Sequence, residues 1–409
     1  MITALFADEN GEIFDDPEFL GLGRIGAETI LLKPQDLIPL PEGADLMLLP
    51  QRQALGFKNN KIVTLSGQAV AAILPAGYTR TYLPAYQEDA NTKALPLYGY
   101  TAVVLYKDEL HVAALKTDDA TKWNPLGFNT NQLKKLVNKT KKELADNRIV
   151  EQLAKCSLQW HCCTAQNLFY RRWEAGVPVS PVCNANCYGC ISLQPAECCP
   201  SPQSRIDFKP TPQEIAEVGT YHLEYAPEGI ISFGQGCEGE PSLAADNIAA
   251  GIKIIRTKTS AGQININTNA GYTEGIKKIV DAGLDTMRVS IISAINETYD
   301  AYYKANYSLD NVKESINYAK SNGVFVSLNM LYFPGLNDRL SEFEAWESFL
   351  AETKVDMIQL RNLNVDPNAF LKIMPQCDSK MLGTPLFIEK IKQKFPQLVL
   401  GSFSHYLKK

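Results

Sequence analysis

The sequence predicts an α/β protein, with a parallel-sheet region from residue 177 onward and a β-rich stretch before it. Two observations carry this. After residue 176, short apolar runs alternate with amphipathic segments of helical length, the order a parallel α/β sheet requires. Up to about residue 116, apolar runs follow one another with only glycine- and proline-rich breaks between them, the pattern of short strands and turns. A third observation, a trio of closely spaced cysteines, sets the chemistry.

Taken in chain order, the N-terminal runs are ITALFA, ETILL, DLMLLP, KIVTL, AVAAIL, TAVVLY and LHVAAL. Asp8-Glu9-Asn10-Gly11 follows the first of these and reads as a hairpin turn. Gly21, Gly23 and Gly26 spell G-x-G-x-x-G. No strand leads into them and strand-like ETILLKP follows, so they are not read as a nucleotide loop. Tyr78, Arg80, Tyr82, Tyr86, Tyr98, Tyr100 and Tyr106 crowd one segment. They are either half-buried in a small sheet or a binding face.

Residues 129–155 read as one helix, with Leu133, Leu136, Val137 and Leu144 on a single apolar stripe. Lys134, Lys135, Lys139, Lys141 and Lys142 fall mostly off it; a solvated face is the ordinary reading and an RNA-binding patch the alternative. The expected division is a β-rich domain at 1–128 that could recognise substrate, a bridging helical segment at 129–176, and an α/β domain with a C-terminal extension at 177–409.

Six strands are expected in that domain: VPVSPV, GIISFG, QININT, TMRVSII, VFVSLNML and VDMIQLRNL. The segments between them, TPQEIAEVGTYHLEY, SLAADNIAAGIKIIRTKT, TEGIKKIVDAG, NVKESINYAKSNG and EFEAWESFLAET, are expected as helices.

The 409 residues are 45% hydrophobic and 21% charged, which is globular composition. A net charge of −5 gives no general attraction to nucleic acid or anionic membrane. MITALFADENGEI lacks a basic segment followed by an apolar run, and no apolar run reaches the ~18 residues of a membrane span. With ten cysteines, the expectation is a reducing cytoplasm and metal chemistry rather than disulfides.

Cys183, Cys187 and Cys190 read C-x3-C-x2-C. One short loop can wrap three thiolates around one face of a small cluster. Structural zinc sites usually take four ligands, so three cysteines without a partner pair fit a [4Fe–4S] cluster with its fourth iron open. A zinc or disulfide role is the alternative.

With Tyr188 as its aromatic residue, this string resembles the motif of the radical SAM superfamily. The resemblance covers residues 177 to about 375 and extends to a subgroup that includes the molybdopterin-precursor cyclase. It implies a partial (β/α)6 barrel, with the motif directly after the first strand. It further implies a [4Fe–4S] cluster on Cys183, Cys187 and Cys190, and S-adenosylmethionine (SAM) chelated at the open iron. Reductive cleavage of SAM to a 5′-deoxyadenosyl radical would follow, with hydrogen abstraction from a peptide, a protein side chain or a small metabolite. An electron donor such as ferredoxin or flavodoxin would supply the electron.

For SAM the resemblance points to Tyr188, to Gly239, Glu240 and Pro241 as a G-G-E-P-like element in which Glu238 replaces the first glycine, and to Asn269, Ser290, Ser327 and Asn329 at later strand ends. Arg288, Val289 and Ser290 match an R-V-S-L stretch, while the lysine expected near Ser327 is absent. Arg361, Asn362, Asn364 and Asp366 are the candidates for substrate, with Arg361 placed as catalytic. Cys237 is a candidate hydrogen-atom donor or covalent partner. Cys156, Cys162, Cys163, Cys198 and Cys199 either hold a second iron–sulfur cluster or are merely proximal thiols; Cys377 stands alone. A glycyl-radical-type activase and a non-enzymatic iron–sulfur sensor are the rival functions.

Overall fold

The chain was analysed as a computed structural model that describes residues 1–193 and 203–408. By its internal contacts it divides into two units. The first comprises Met1–Pro125, Leu331–Glu347 and Leu360–Phe403; the second comprises Leu126–Met330, Ser348–Gln359 and the C-terminal residues. The first unit therefore takes in two segments beyond residue 330.

The first unit is β-rich. Its central strand, Ile2–Ala7, pairs antiparallel with Ile13–Leu20 and Val103–Tyr106. The turn at Asp8–Gly11 forms as expected: Asp8 Oδ1 accepts from the N–H groups of Asn10 and Glu12, both at 2.9 Å, and Gly11 supplies a φ of +84°. The long hairpin Asp45–Lys58 and Lys61–Ile73 turns at Asn59-Asn60, both left-handed, a conformation asparagine tolerates. Leu5, Ala7, Val70, Ala72, Val103 and Val112 fill the core. The glycine string at 21–26 lies in an antiparallel pair, Leu22–Ile25 with Glu28–Leu31, so no strand–turn–helix forms there. The tyrosine-rich segment is packed inward: Tyr98 and Arg80 are fully buried, and Tyr86 is 9% exposed.

The second unit carries a parallel sheet of Glu174–Gly176, Ile230–Phe233, Gln263–Thr268, Thr286–Ile291 and Phe325–Tyr332. Residues 357–359 belong to this unit as well, while Val399–Gly401, a strand the sequence reading did not foresee, belongs to the first unit. The first strand lies three residues before VPVSPV. Pro178 and Pro181 cannot donate to a ladder, and after Val177 N–H reaches Ser232 O at 2.9 Å the pairing stops. The expected helix at 129–155 is two helices, Leu133–Glu143 and Arg148–Gln159. Asp146 is left-handed and Asn147 Oδ1 caps the second helix, accepting from Ile149 N at 3.0 Å and Val150 N at 3.3 Å. The helix Asn296–Tyr303 was not expected. Among the described residues no helix is long and apolar enough to cross a membrane.

Candidate functional site

The register of the parallel sheet sorts its side chains into two faces. Ile231, Phe233, Ile264, Ile266, Met287, Val289, Val326 and Leu328 share one face and are buried. The other face is polar: Glu174, Ser232, Asn265, Asn267, Arg288, Ser290, Ser327 and Asn329. Ser232 Oγ donates to Glu174 Oε1 at 2.6 Å, and Asn265 Nδ2 donates to Ser232 Oγ at 3.0 Å and Asn267 Oδ1 at 2.9 Å. Arg288 Nη1 reaches Gln359 Oε1 at 3.3 Å, Gln359 Nε2 reaches Ser327 Oγ at 3.2 Å, and Asn329 Nδ2 reaches Ser290 Oγ at 3.2 Å.

The interior of an ordinary β/α barrel is filled with branched apolar side chains. A polar face with buried atoms left without hydrogen bonds is suited to a polar ligand instead. Asn267 Nδ2, Arg288 Nε and Asn329 Oδ1 are such atoms. The signal for this face, a polar residue at every second position of QININT, TMRVSI and VSLN, was present in the sequence and went unread.

The cysteine loop follows the first strand. It is docked on the C-terminal end of the helix Asn296–Tyr303 and the residues just beyond: Asn186 N donates to Tyr303 O at 2.9 Å, Tyr188 N to Tyr302 O at 3.0 Å, and Asn306 N to Asn184 O at 3.1 Å. Tyr302 and Tyr303 are buried beneath it. Cys187 lies within electrostatic reach of both Cys183 and Cys190, and burial pushes its thiol well up. Burial likewise raises the Cys183 thiol. Such thiols ionise when a metal takes the proton's place. Arg205 Nη2 stands 3.6 Å from Cys190 Sγ, a cation suited to a thiolate. Among the described residues no group of three or more His, Cys, Asp or Glu stands in a ready metal-binding arrangement.

The strand-two loop is tied to this one. Gly239 N donates to Ser180 O at 2.7 Å and Glu240 N to Val182 O at 2.8 Å. A Cβ on Gly239 would fall 2.0 Å from Val182 O, so only glycine permits the approach. Glu240 Oε1 accepts from Ser242 N at 3.0 Å and from the Thr268 hydroxyl, and Oε2 accepts from Asn269 N at 2.8 Å. Burial pushes the Glu240 carboxyl up against these bonds. Asn269 Nδ2 in turn donates to Asn184 Oδ1 at 2.7 Å. Glu240 thus spends its side chain on the protein, and its backbone N–H and carbonyl are paired as well, with Val182 O and with Leu243 N at 3.2 Å. Pro241 opens a turn of 3₁₀ helix.

The structure therefore brings together Cys183, Cys187, Cys190, Gly239, Glu240 and Asn269, and places Ser290, Ser327 and Asn329 on the polar face. Cys237 is 4% exposed. Its thiol is hydrogen-bonded with that of Cys156, which pushes Cys237 well up and Cys156 down. Cys162 lies near both. Cys198 and Cys199 lie outside the described residues, and Cys377 is exposed.

Arg361 belongs to the first unit, where Nη1 donates to Ser402 O at 2.9 Å. Asn362 there binds Arg80 N and Tyr78 O. Asp366 caps the helix Pro367–Ile373 and pairs with Arg52 at 2.9 Å, and Asn364 is exposed. Glu238, which stands in place of the first glycine of the G-G-E-P-like element, accepts from four backbone N–H groups.

The sequence profile of the Radical SAM superfamily matches residues 177–346. A comparison with curated proteins returns no match. Among solved structures, native anSMEcpe with bound AdoMet is similar at 15% identity and a TM-score of 0.36, over 47% of this chain and 52% of that one. A radical SAM methyltransferase from Sphaerobacter thermophilus is similar at 14% identity and a TM-score of 0.39, over 55% and 63%. Methylornithine synthase is similar at 15% identity and a TM-score of 0.38, over 66% and 73%. The chain thus spans about half the length of the first of these.

Proposed function

We propose that this chain, whose residues 177–346 match the Radical SAM superfamily, uses Cys183, Cys187 and Cys190 to hold three irons of a [4Fe–4S] cluster beside a SAM site. When bound and reduced, such a cluster would supply the one electron needed to cleave the C–S bond of SAM. The residues fit this task. The loop 183–190 offers three thiols and no fourth, and Arg205 favours a thiolate at Cys190.

In this reading the backbone at 239–241 takes the ammonium of SAM, while Glu240 and Asn269 fix that backbone to the cysteine loop. Ser290, Ser327, Asn329 and Tyr188 complete the SAM contacts in this reading. The polar sheet face, with its orphaned Asn267, Arg288 and Asn329 atoms, is assigned to the polar parts of SAM and substrate, and the parallel strands to the family's partial barrel. The substrate is a peptide, a protein side chain or a small metabolite, and a low-potential electron carrier is the expected partner. The first unit is assigned to substrate recognition.

The observation that carries the reading is the chain of direct hydrogen bonds from the cysteine loop through Asn269 and Glu240 to the strand-two loop. The test is anaerobic reconstitution of the wild type and of the triple Cys183→Ala, Cys187→Ala, Cys190→Ala variant. The variant should lose about four irons per chain, and only the wild type should form 5′-deoxyadenosine from SAM and dithionite. Equal iron in both proteins defeats the ligand assignment. Iron without 5′-deoxyadenosine favours a sensor.

A further inference from the structure

Glu238 sits where the sequence departs from a G-G-E-P-like element, and it is 4% exposed. Its two oxygens divide four backbone N–H groups between two segments. Oε2 accepts from Val179 N at 2.7 Å and Ser180 N at 2.9 Å. Oε1 accepts from Gly234 N at 2.7 Å and Gln235 N at 2.8 Å. These donors lie just past the ends of the first and second parallel strands, where the ladder bonds have run out. Val179 and Ser180 are buried, so without an acceptor their N–H groups would be orphaned.

The same stretch of chain grips residues 180–182 again, through Gly239 N to Ser180 O and Glu240 N to Val182 O. Ser192 Oγ, beyond the cysteines, donates to Glu238 O at 3.2 Å. The next residue after Val182 is Cys183.

We propose that Glu238 is a positioning residue: its carboxylate locks the strand-two loop to the exit of the first strand, and so sets the distance between the cysteine loop and the backbone at 239–241 that holds SAM. Glu238 and Glu240 act as complementary clamps. Glu240 ties the loop forward to the end of the third strand through Ser242, Thr268 and Asn269; Glu238 ties it back to the first and second. Three strand exits are thus fixed by two carboxylates two residues apart. The role demands an acceptor-only group, because all four partners are donors. An amide in its place would turn one oxygen into an NH2 group facing two N–H groups. Nothing in this requires Glu238 to touch SAM or the cluster.

The inference rests on the SAM site proposed above, and its test separates the two. Full-length Glu238→Gln is compared with the wild type and with Asp285→Asn. Asp285 also accepts a backbone N–H, from Ile264 at 2.8 Å, but at the opposite ends of the strands. Each protein is reconstituted anaerobically. Iron, the SAM dissociation constant, the SAM-induced change in the electron paramagnetic resonance spectrum of the reduced cluster, and backbone amide exchange are then measured.

Glu238→Gln should keep its iron and weaken SAM binding by about tenfold or more, the usual scale for losing a supporting contact behind a metal site. Its spectral response to SAM should be diminished, and exchange should rise together in the peptides covering 179–180 and 234–235. Asp285→Asn should leave SAM affinity unchanged. Wild-type SAM affinity in Glu238→Gln, or unchanged exchange in those peptides, overturns the proposal. If the wild type itself binds no SAM, the site reading fails, while the exchange measurement still decides whether Glu238 positions the loop.

Discussion

Replacing Gly239 with alanine perturbs the site at its tightest point. The added Cβ would lie 2.0 Å from Val182 O, 2.4 Å from Val182 C and 3.1 Å from Cys183 N, where ordinary contact needs about 3.5 Å. These are backbone atoms, so no side chain can swing aside. Val182 O also accepts from Ser180 Oγ at 2.9 Å and from Glu240 N at 2.8 Å. Moving it away forfeits two hydrogen bonds at ~1 kcal/mol each, on top of ~1–3 kcal/mol of overpacking. A loss of about 3–5 kcal/mol follows, or roughly 6–20 °C in the melting of a unit this size.

Because Val182 leads straight into Cys183, the displacement should also reach the cluster. Iron per chain after anaerobic reconstitution and SAM affinity by equilibrium dialysis should both fall. Gly323→Ala is the control: its φ is +77° but no atom lies within 4 Å of the new Cβ, so it should cost only ~1–2 kcal/mol of backbone strain and leave iron unchanged. A Gly239→Ala protein with wild-type melting, iron and SAM affinity would refute the close-approach reasoning.

Asn147→Ala removes the cap of the helix Arg148–Gln159 and the Nδ2 bonds to Glu214 O and Glu217, both at 3.0 Å; a loss of about 1–2 kcal/mol is expected in urea unfolding, and none would contradict the capping role. His222 is buried with Nε2 donating to Trp173 O at 2.7 Å, and burial pushes it down to about 4 from 6.5. Its contribution is therefore fully present above pH ~6.5 and is lost as pH falls through ~4, on the order of 3 kcal/mol in all. The urea midpoint of His222→Gln should accordingly depend less on pH between 7 and 4 than that of the wild type; parallel curves would show that His222 is not the titrating group.

Much of the sheet was legible because its strands are short and their polar and apolar residues alternate. QININT formed at its expected bounds, and the helix Pro212–Tyr225 began at its Thr211 capping box as a threonine followed by proline should. The first strand was misplaced because VPVSPV has the composition of a strand but two prolines that cannot pair. The break in the 129–155 helix turned on Asn147, whose capping competes with an apolar stripe that runs past it. The cysteine motif was plain, but the floor beneath it, Tyr302 and Tyr303, came from a tyrosine run without recognised periodicity. Glu238 was unreadable for a different reason. Its role depends on four N–H groups from two strand ends, and no local pattern announces that a glutamate will be enclosed among donors.

The first unit takes in segments that are made after most of the second. Arg80, fully buried, gives one nitrogen to the carbonyl of Leu363, 283 residues later, and Arg52 meets Asp366 across a separation of 314. During synthesis these two late partners are missing while most of the second unit is made, although Arg80 already has Tyr98 O and Tyr100 O and Arg52 has Pro50 O and Lys93 O. The strands of the large N-terminal sheet all lie between Ile2 and Val112, so what waits is this long-range closure, which is slow and open to misassociation. A ribosome that stalls before residue 360 releases a protein whose cluster-binding unit is nearly all present and whose first unit has no means of finishing.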